Sequence, residues 1–504
     1  MTTSSGNRLI FKNTLYMYFR MFITIAIGLY SSRIVLETLG ITGYGVYNIV
    51  GGVVVIFSFI SNALRNSTQR FLSFEIGKRE NQNIQKVFDA SIQCHLYICV
   101  ALVFFAETVG LWFTNTQLNI PVGQEYVVTS VYQFSIITFL LQVLQVPYNS
   151  MIISHEKMGF YAHLSILEAL LKLGILYFLV VSSINKVILY SALVTVVNFI
   201  ILVIYIIYCH KRFGLKRFHK VHSKNNLKDI LNFSKWSMLN GCSTIVSQQG
   251  GNYLINIFSG VAANAAFGIS NQVSSVIYSF VSNFQTAFQP QIVKLYASKN
   301  LTQLIPLLMR ASLLSYYLLL IIAFPFCLEA QSVLQLWLGI VPEYSAIFCI
   351  LILVFFLIDS VQAPLWMLIY GSGKIKQYTL VTGSLTILNL PISFVSLLIG
   401  LPIYSIFVVR ILLSVICSIY RLFYVKINED FPVLPYISNV VGRSTVVTLA
   451  SLLLVFPVKA FCNSPAIIII FSICTIGTLI LLLGFTPKDK RIIFNLIRSK
   501  IISK

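Results

Sequence analysis

Acidic residues are scarce in this chain: 15 Asp and Glu in 504 positions, with only 10% of the residues charged. So little charge beside 57% hydrophobic residues excludes an ordinary soluble domain. Long hydrophilic stretches are missing too, and the longest, roughly residues 210–229, is too short to fold alone. No G-x-x-x-x-G-K-[ST] loop is present to drive pumping with ATP, and GSGK at Gly371–Lys374 lacks the spacing. H-E-x-x-H, G-x-S-x-G and clusters of His with carboxylates are absent. The nine cysteines form no C-x-x-C pair and sit mostly in apolar runs, where they read as small core residues. No cofactor and no metal is implied. A membrane polymerase or glycosyl ligase would carry a larger outside loop than the two sizeable ones expected here, near Thr114–Glu125 and Glu329–Glu343. The chain does not read as an enzyme.

Apolar runs of about 20 residues recur from end to end, each able to span a bilayer as a helix. They predict an all-α polytopic membrane protein with about 14 transmembrane helices. The helices are placed near 15–38, 44–66, 88–113, 126–148, 160–182, 187–209, 233–258, 265–288, 307–328, 343–368, 378–399, 403–424, 441–460 and 465–485. The first is a retained helix, because its apolar run is too long for a removable signal peptide. An even number of spans puts both termini on one side. About 30 of the 36 Lys and Arg fall on that side, including KRFGLKRFHK (Lys211–Lys220), and only Lys186 and Lys459 on the other. The positive-inside rule then makes the termini cytoplasmic. The net charge of +21 is topology and attraction to anionic headgroups of membrane lipids, not a nucleic-acid surface.

The chain repeats itself. SFISNALRNSTQRFLSFEIGK (Ser58–Lys78) overlays SFVSNFQTAFQPQIVKLYASK (Ser279–Lys299) without a gap, at an offset of 221. QVPYNSMIISHEKMGFY (Gln145–Tyr161) overlays QAPLWMLIYGSGKIKQY (Gln362–Tyr378) at an offset of 217, pairing Pro147 with Pro364, Lys157 with Lys374 and Tyr161 with Tyr378. Helices 1–6 therefore map onto helices 7–12 as two parallel six-helix repeats, a transporter design with a shared cavity, and helices 13 and 14 are extra. The expected organisation is an N-terminal lobe over 1–210, a basic cytoplasmic linker over 211–232, a C-terminal lobe over 233–426, and two extra helices with a basic tail over 427–504.

Polar residues recur at steps of three and four, so whole helix faces are polar. Helix 2 carries Asn62, Arg65 and Gln69; helix 7 carries Asn240, Thr244 and Gln248; helix 8 carries Asn271, Ser275, Tyr278, Ser282 and, beside Ser282, Asn283. Lipid does not accept such faces, which suit a wet cavity or hydrogen-bonded helix packing. Ionisable groups within the spans are functional candidates by default. The bases are Arg20, Arg33, Lys172 and Arg410; the acids are Glu107, Glu168 and Asp359. Arg33 can pair with Glu37, and Glu168 with Lys172, at i, i+4. Asp359 reads as an isolated carboxylate with a breaker, Pro364, about one turn away; with Glu168 it is a candidate for a coupling cation, H+ or Na+. The surplus of bases suits an anion such as a diphosphate.

The Arg-bearing first helix, the turn LGITGYGVYN (Leu39–Asn48) and the exit TQRFLSFEIGK (Thr68–Lys78) resemble Wzx-type (O-antigen) polysaccharide flippases of the multidrug/oligosaccharidyl-lipid/polysaccharide exporter superfamily. The resemblance implies an inner-membrane flippase for undecaprenyl-diphosphate-linked oligosaccharides, working by alternating access. It implies that helices 1, 2, 7 and 8 line a cationic cavity, with a polysaccharide polymerase and a chain-length regulator as partners. Cation-coupled multidrug exporters and lipid II flippases are the alternatives within the superfamily. On the topology read from the basic residues, reporter fusions near Lys220 and at the C-terminus should give a cytoplasmic signal. A fusion near Pro121 should report the outside, and a cytoplasmic signal there overturns the helix assignment.

Overall fold

The computed structural model describes residues 9, 11–28, 30–31, 34–35, 38–39, 58–78, 81–116, 125–181, 185–215, 224–338, 341–462 and 464–485. Among these residues there is helix and turn and no strand. This is what a bilayer selects, since a helix satisfies its own backbone within one segment. The helices are α1 (11–28), α2 (Ser58–Lys78), α3 (Asn81–Phe105, carried on through a π-helical turn Ala106–Gly110), α4 (Glu125–Ser154), α5 (Met158–Val181) and α6 (Lys186–Phe213). A long helical stretch, Lys224–Ala297, is interrupted at Gly260 and gives α7 (224–259) and α8 (261–297). The remainder are α9 (Leu301–Leu328), α10 (Ser345–Ser372), α11 (Lys376–Leu398), α12 (Ser405–Glu429), α13 (433–461) and α14 (465–484). Ten of these are long and apolar enough to cross a membrane, and the protein is a multi-pass membrane protein. The ten do not include α1, α2, α7 or α8, of which α1 and α2 are described only in part.

Several helices outrun the apolar segments that marked them in the sequence. α2 continues to Lys78, α3 starts at Asn81, α7 starts at Lys224 and α8 ends at Ala297. Hydropathy marks only the hydrocarbon-spanning part, whereas the helix continues in polar residues wherever it finds packing. Pro364 does not break α10, which runs unbroken from Ser345 to Ser372. Neighbouring helices and local adjustments accommodate a proline in a packed span.

The repeat is visible in the backbone. The turn between α4 and α5 holds Glu156 at φ 60°, and the turn between α10 and α11 holds Gly373 at φ 82°. These positions differ by the same 217 residues as the matching sequences. α6 is closed by Gly214 at φ 63° and α12 by Asp430 at φ 48°, both left-handed C-terminal caps.

The chain divides into two compact units that part between Gly241 and Cys242. In the N-terminal unit, Phe88, Met151, Ile152, Leu176 and Ile201 form the main apolar core. α4 and α6 are laced by polar pairs, Thr138 with Thr195 at 2.8 Å and Gln145 Nε2 donating to Asn198 O at 3.0 Å. In the C-terminal unit, Phe348 and Phe407 pack at 4.7 Å between ring centroids, within a core that includes Phe267 and Ile352. α13 and α14 are fixed to α9 and its end: Tyr316 OH meets Thr448 Oγ1 at 2.6 Å, Tyr317 OH donates to Gly484 O at 3.1 Å, and Glu329 pairs with Lys459 at 3.3 Å.

The start of α7 is held on the end of α2. The Arg70 guanidinium lies 4.4, 5.1 and 5.5 Å from the ring centroids of Phe71, Phe74 and Phe233. Ser67 Oγ donates to Ile230 O at 3.2 Å alongside. A cavity of about 210 Å³, lined in part by Arg70, Glu75 and Asp229, adjoins this clamp. Arg70→Ala should lower stability by about 1–2 kcal/mol, the scale of a partly desolvated cation–π contact. A thermal melt of the purified protein checks this, with Arg70→Lys falling between the two because an ammonium lacks the flat stacking face.

Candidate functional site

Each unit carries a group of charged and tyrosyl side chains within its spans. In the N-terminal unit, Arg20 on α1 donates from Nη1 to Tyr161 OH at 3.2 Å, its guanidinium 5.0 Å from that ring. About two turns further along α5, Glu168 and Lys172 form an ion pair of 2.5 Å, the i, i+4 pairing expected from their order. Their side chains remain 30% and 35% exposed, which places the pair on an open face of the helix. Tyr205, buried on α6, is within electrostatic reach of Arg20, Arg65, Tyr161 and Glu168. The fold thus brings Arg20, Arg65 and Glu168 from α1, α2 and α5 within electrostatic reach of one tyrosine of α6, with Lys172 joined to the group through Glu168. Buried polar atoms lacking a hydrogen-bond partner add to this interior: Arg65 Nε, Thr68 Oγ1, Gln69 Nε2 and Ser150 Oγ among the described residues. Buried groups of this kind call for water or a ligand.

In the C-terminal unit, the α10 carboxylate of Asp359 faces two α12 guanidiniums. Arg421 and then Arg410 act on it electrostatically, while Asp359 makes no ion pair or hydrogen bond among the described residues. α10 packs along α12 and brings Asp359 into the neighbourhood of two arginines that lie 51 and 62 residues further along the chain. Arg410 lies over the Phe355 ring at 4.1 Å, one turn before Asp359. Arg421, 8% exposed, donates from Nε to Tyr378 OH at 2.8 Å. Tyr378 in turn packs against Tyr420 and Tyr424, at 6.3 and 5.6 Å between centroids. Tyr278 of α8 stacks on Phe356 at 4.4 Å and feels both Asp359 and Arg421. Arg410 has no ion pair and no hydrogen-bond acceptor among the described residues, and it is half-buried. Its five N–H donors are available.

The remaining expected residues are placed as follows. Asn62 and Gln248 are exposed, Asn240 and Asn271 are half-buried, and Asn283 is buried with Nδ2 donating to Ser279 O at 2.7 Å on its own helix. Arg33, with Glu37, lies outside the described residues. The sequence reading did not single out Arg421 or Tyr378 as site residues. Both had a signal. Arg421 follows Arg410 by eleven residues, which is within about 20° of the same helix face, and Tyr378 is the repeat partner of Tyr161.

The arrangement of helices is shared with transporters of known structure. A MATE protein solved in its bent conformation aligns with a TM-score of 0.69 at 14% identity, covering 85% of this chain and 99% of that one. An outward-facing multidrug resistance MATE family transporter of the MOP superfamily aligns at 0.66 and 13% identity, covering 82% and 95%. A MOP superfamily transporter from Pyrococcus furiosus, described as having a binding pocket of reverse polarity, aligns at 0.61 and 13%, covering 84% and 96%. At these identities the likeness is one of fold, and the fold is that of membrane transporters. The sequence profile described as "Polysaccharide biosynthesis protein" matches residues 10–296, more than half of the chain. The chain belongs to that polysaccharide biosynthesis protein family. No curated protein matches it.

The Glu168–Lys172 pair generates a direct test. Lys172→Met strands the carboxylate and should cost about 1–2 kcal/mol, less than for a fully buried pair because both side chains are about a third exposed. Adding Glu168→Gln should recover most of the loss in a thermal melt. An additive double variant would show that the two groups do not depend on each other.

Proposed function

We propose that this protein is a flippase that carries undecaprenyl-diphosphate-linked oligosaccharides across the bacterial cytoplasmic membrane by alternating access, a transporter and not an enzyme. Its termini are cytoplasmic in this reading, and the oligosaccharides serve surface polysaccharide synthesis. The observation that carries the reading is Arg410: a guanidinium in a membrane span, lying over the Phe355 ring at 4.1 Å, with no acceptor for its N–H groups among the described residues. An unfilled cation in a span is costly, and an anion arriving there lowers that cost. A diphosphate matches the guanidinium fork. The N-terminal cluster has the same bias, with Arg20, Arg65 and Lys172 against Glu168. Membership of a polysaccharide biosynthesis family supports a glycan as the cargo. The lipid-linked sugar cannot cross unaided, because its hydroxyls and diphosphate must leave water.

A cation-coupled drug exporter would need a carboxylate open to H+ or Na+. Glu168 is paired with Lys172, and Asp359 faces two arginines, which favours the anion reading over that one. Arg410→Gln should insert in the membrane normally and stop export, with lipid-linked oligosaccharide accumulating in the cytoplasmic leaflet. Arg410→Lys should keep part of the activity, since charge persists without the fork. Export by the Gln variant at the normal rate would make Arg410 a structural residue.

A further inference from the structure

A nine-residue helix, Ala330–Leu338, joins α9 to α10, and both of these are long and apolar enough to cross a membrane. Glu329 alone separates it from the end of α9, so it lies where the chain leaves the hydrocarbon. Its sequence, AQSVLQLWL, carries no charge. Its first turn is clamped. Glu329 is buried, pairs with Lys459 of α13 at 3.3 Å and accepts from Ser332 Oγ at 2.9 Å. Lys459 also donates to the carbonyl of Leu328. These contacts fix which way the helix faces, and its faces differ in kind. Ala330 and Leu334, one turn apart, are buried, and the helix packs on α10 and α9. At about 100° per residue, Trp337, Val333 and Leu336 follow in that order round one flank, and Gln331, Gln335 and Ser332 round the other. Trp337 is 51% exposed and Leu336 is 91% exposed. Phe456 and Phe461 are exposed on α13, the helix that supplies Lys459. The first half of the chain has a related segment. Leu111-Trp112 follows α3 there, with Trp112 exposed, and Glu-Tyr stands at the start of the next span in both halves, as Glu125-Tyr126 and Glu343-Tyr344.

We propose that the helix Ala330–Leu338 is an interfacial foot. It lies along the membrane boundary with Trp337, Val333 and Leu336 in lipid and Gln331 and Gln335 towards water, and it sets the depth of the C-terminal unit in the bilayer. Its partner is the lipid surface itself, the zone between headgroups and acyl chains. An indole suits that zone, because its ring is apolar and its N–H finds an acceptor at headgroup level. The polar flank gives the helix a side that belongs in water, which keeps it from sinking into the hydrocarbon. Because the helix is neutral, its hold comes from apolar area and does not depend on anionic lipid. The contacts of Glu329 and Lys459 pass the depth of the foot on to α9 and α13, two helices that cannot shift vertically without it.

The test uses the full-length protein in lipid nanodiscs and compares it with Trp337→Phe, a substitution at an exposed position. The difference in tryptophan emission between the two is the share of Trp337. Phosphatidylcholine brominated next to the headgroup should quench that share at least about twofold more than phosphatidylcholine brominated near the chain end. Aqueous iodide should quench it little, and anionic lipid added to the nanodisc should leave the pattern unchanged. Equal or stronger quenching from the chain end puts Trp337 in the hydrocarbon and overturns the proposal. Strong iodide quenching with no effect of brominated lipid overturns it as well, and leaves the flank to water or to a protein partner. A second variant, Leu336→Glu, puts a charge in the flank. It should draw the foot towards water and raise iodide quenching of Trp337 several-fold. Unchanged quenching in Leu336→Glu shows that the flank does not lie in lipid, and the proposal then fails.

Discussion

Hydrocarbon offers a charged group no partner, and each ionised side chain in a span must bring its own. Most of those in this protein do so. Lys172 takes Glu168, Arg20 takes the hydroxyl of Tyr161, Arg421 takes the hydroxyl of Tyr378, and Lys459 takes both Glu329 and the carbonyl of Leu328. Arg410 has an aromatic face and, among the described residues, nothing that accepts its protons. The contrast turns a list of intramembrane charges into a ranking. The paired groups are explained by the fold itself, and the unpaired guanidinium points to a ligand.

The two units use one device differently. Tyr161 and Tyr378 are equivalent in the repeat, and each receives a guanidinium, yet the arginine comes from α1 in one unit and from α12 in the other. The polar interior of the N-terminal unit holds buried donors and acceptors without partners, among them Arg65 Nε and Gln69 Nε2. That of the C-terminal unit is rich in rings, with Tyr278, Phe355, Phe356 and Tyr378 around its charges. Buried atoms without partners occur there too, among them Gln362 Oε1 and Thr379 Oγ1, so both interiors call for water or a ligand.

Much of the fold was legible because the bilayer allows few answers. Apolar runs located the spans, and two ungapped matches located the repeat down to the turn that Glu156 and Gly373 share. Helix ends were less legible, because polar residues beyond the hydrocarbon carry no hydropathy signal while the backbone of α2 or α7 continues to coil. The Glu168–Lys172 pair could be read from spacing, being local. The surroundings of Asp359 could not, since the arginines that act on it lie on α12 and only packing of α10 along that helix brings them near. Arg421 lies on the helix stripe that Arg410 begins, but the sequence does not show that it is buried among tyrosines.

The paired turns at Glu156 and Gly373 have a bearing on descent. Glycine adopts a left-handed backbone freely, while glutamate in that conformation is disfavoured by about 1 kcal/mol. The first copy nonetheless carries the glutamate, at φ 60°. The two halves therefore hold the same left-handed turn with different side chains, at a small local cost in the first. A duplicated protein of this kind accumulates differences wherever geometry tolerates them, and its halves come to differ in chemistry long before they differ in shape. Two lobes that began as copies can then acquire separate duties within a single transport cycle, without either giving up the scaffold both inherited.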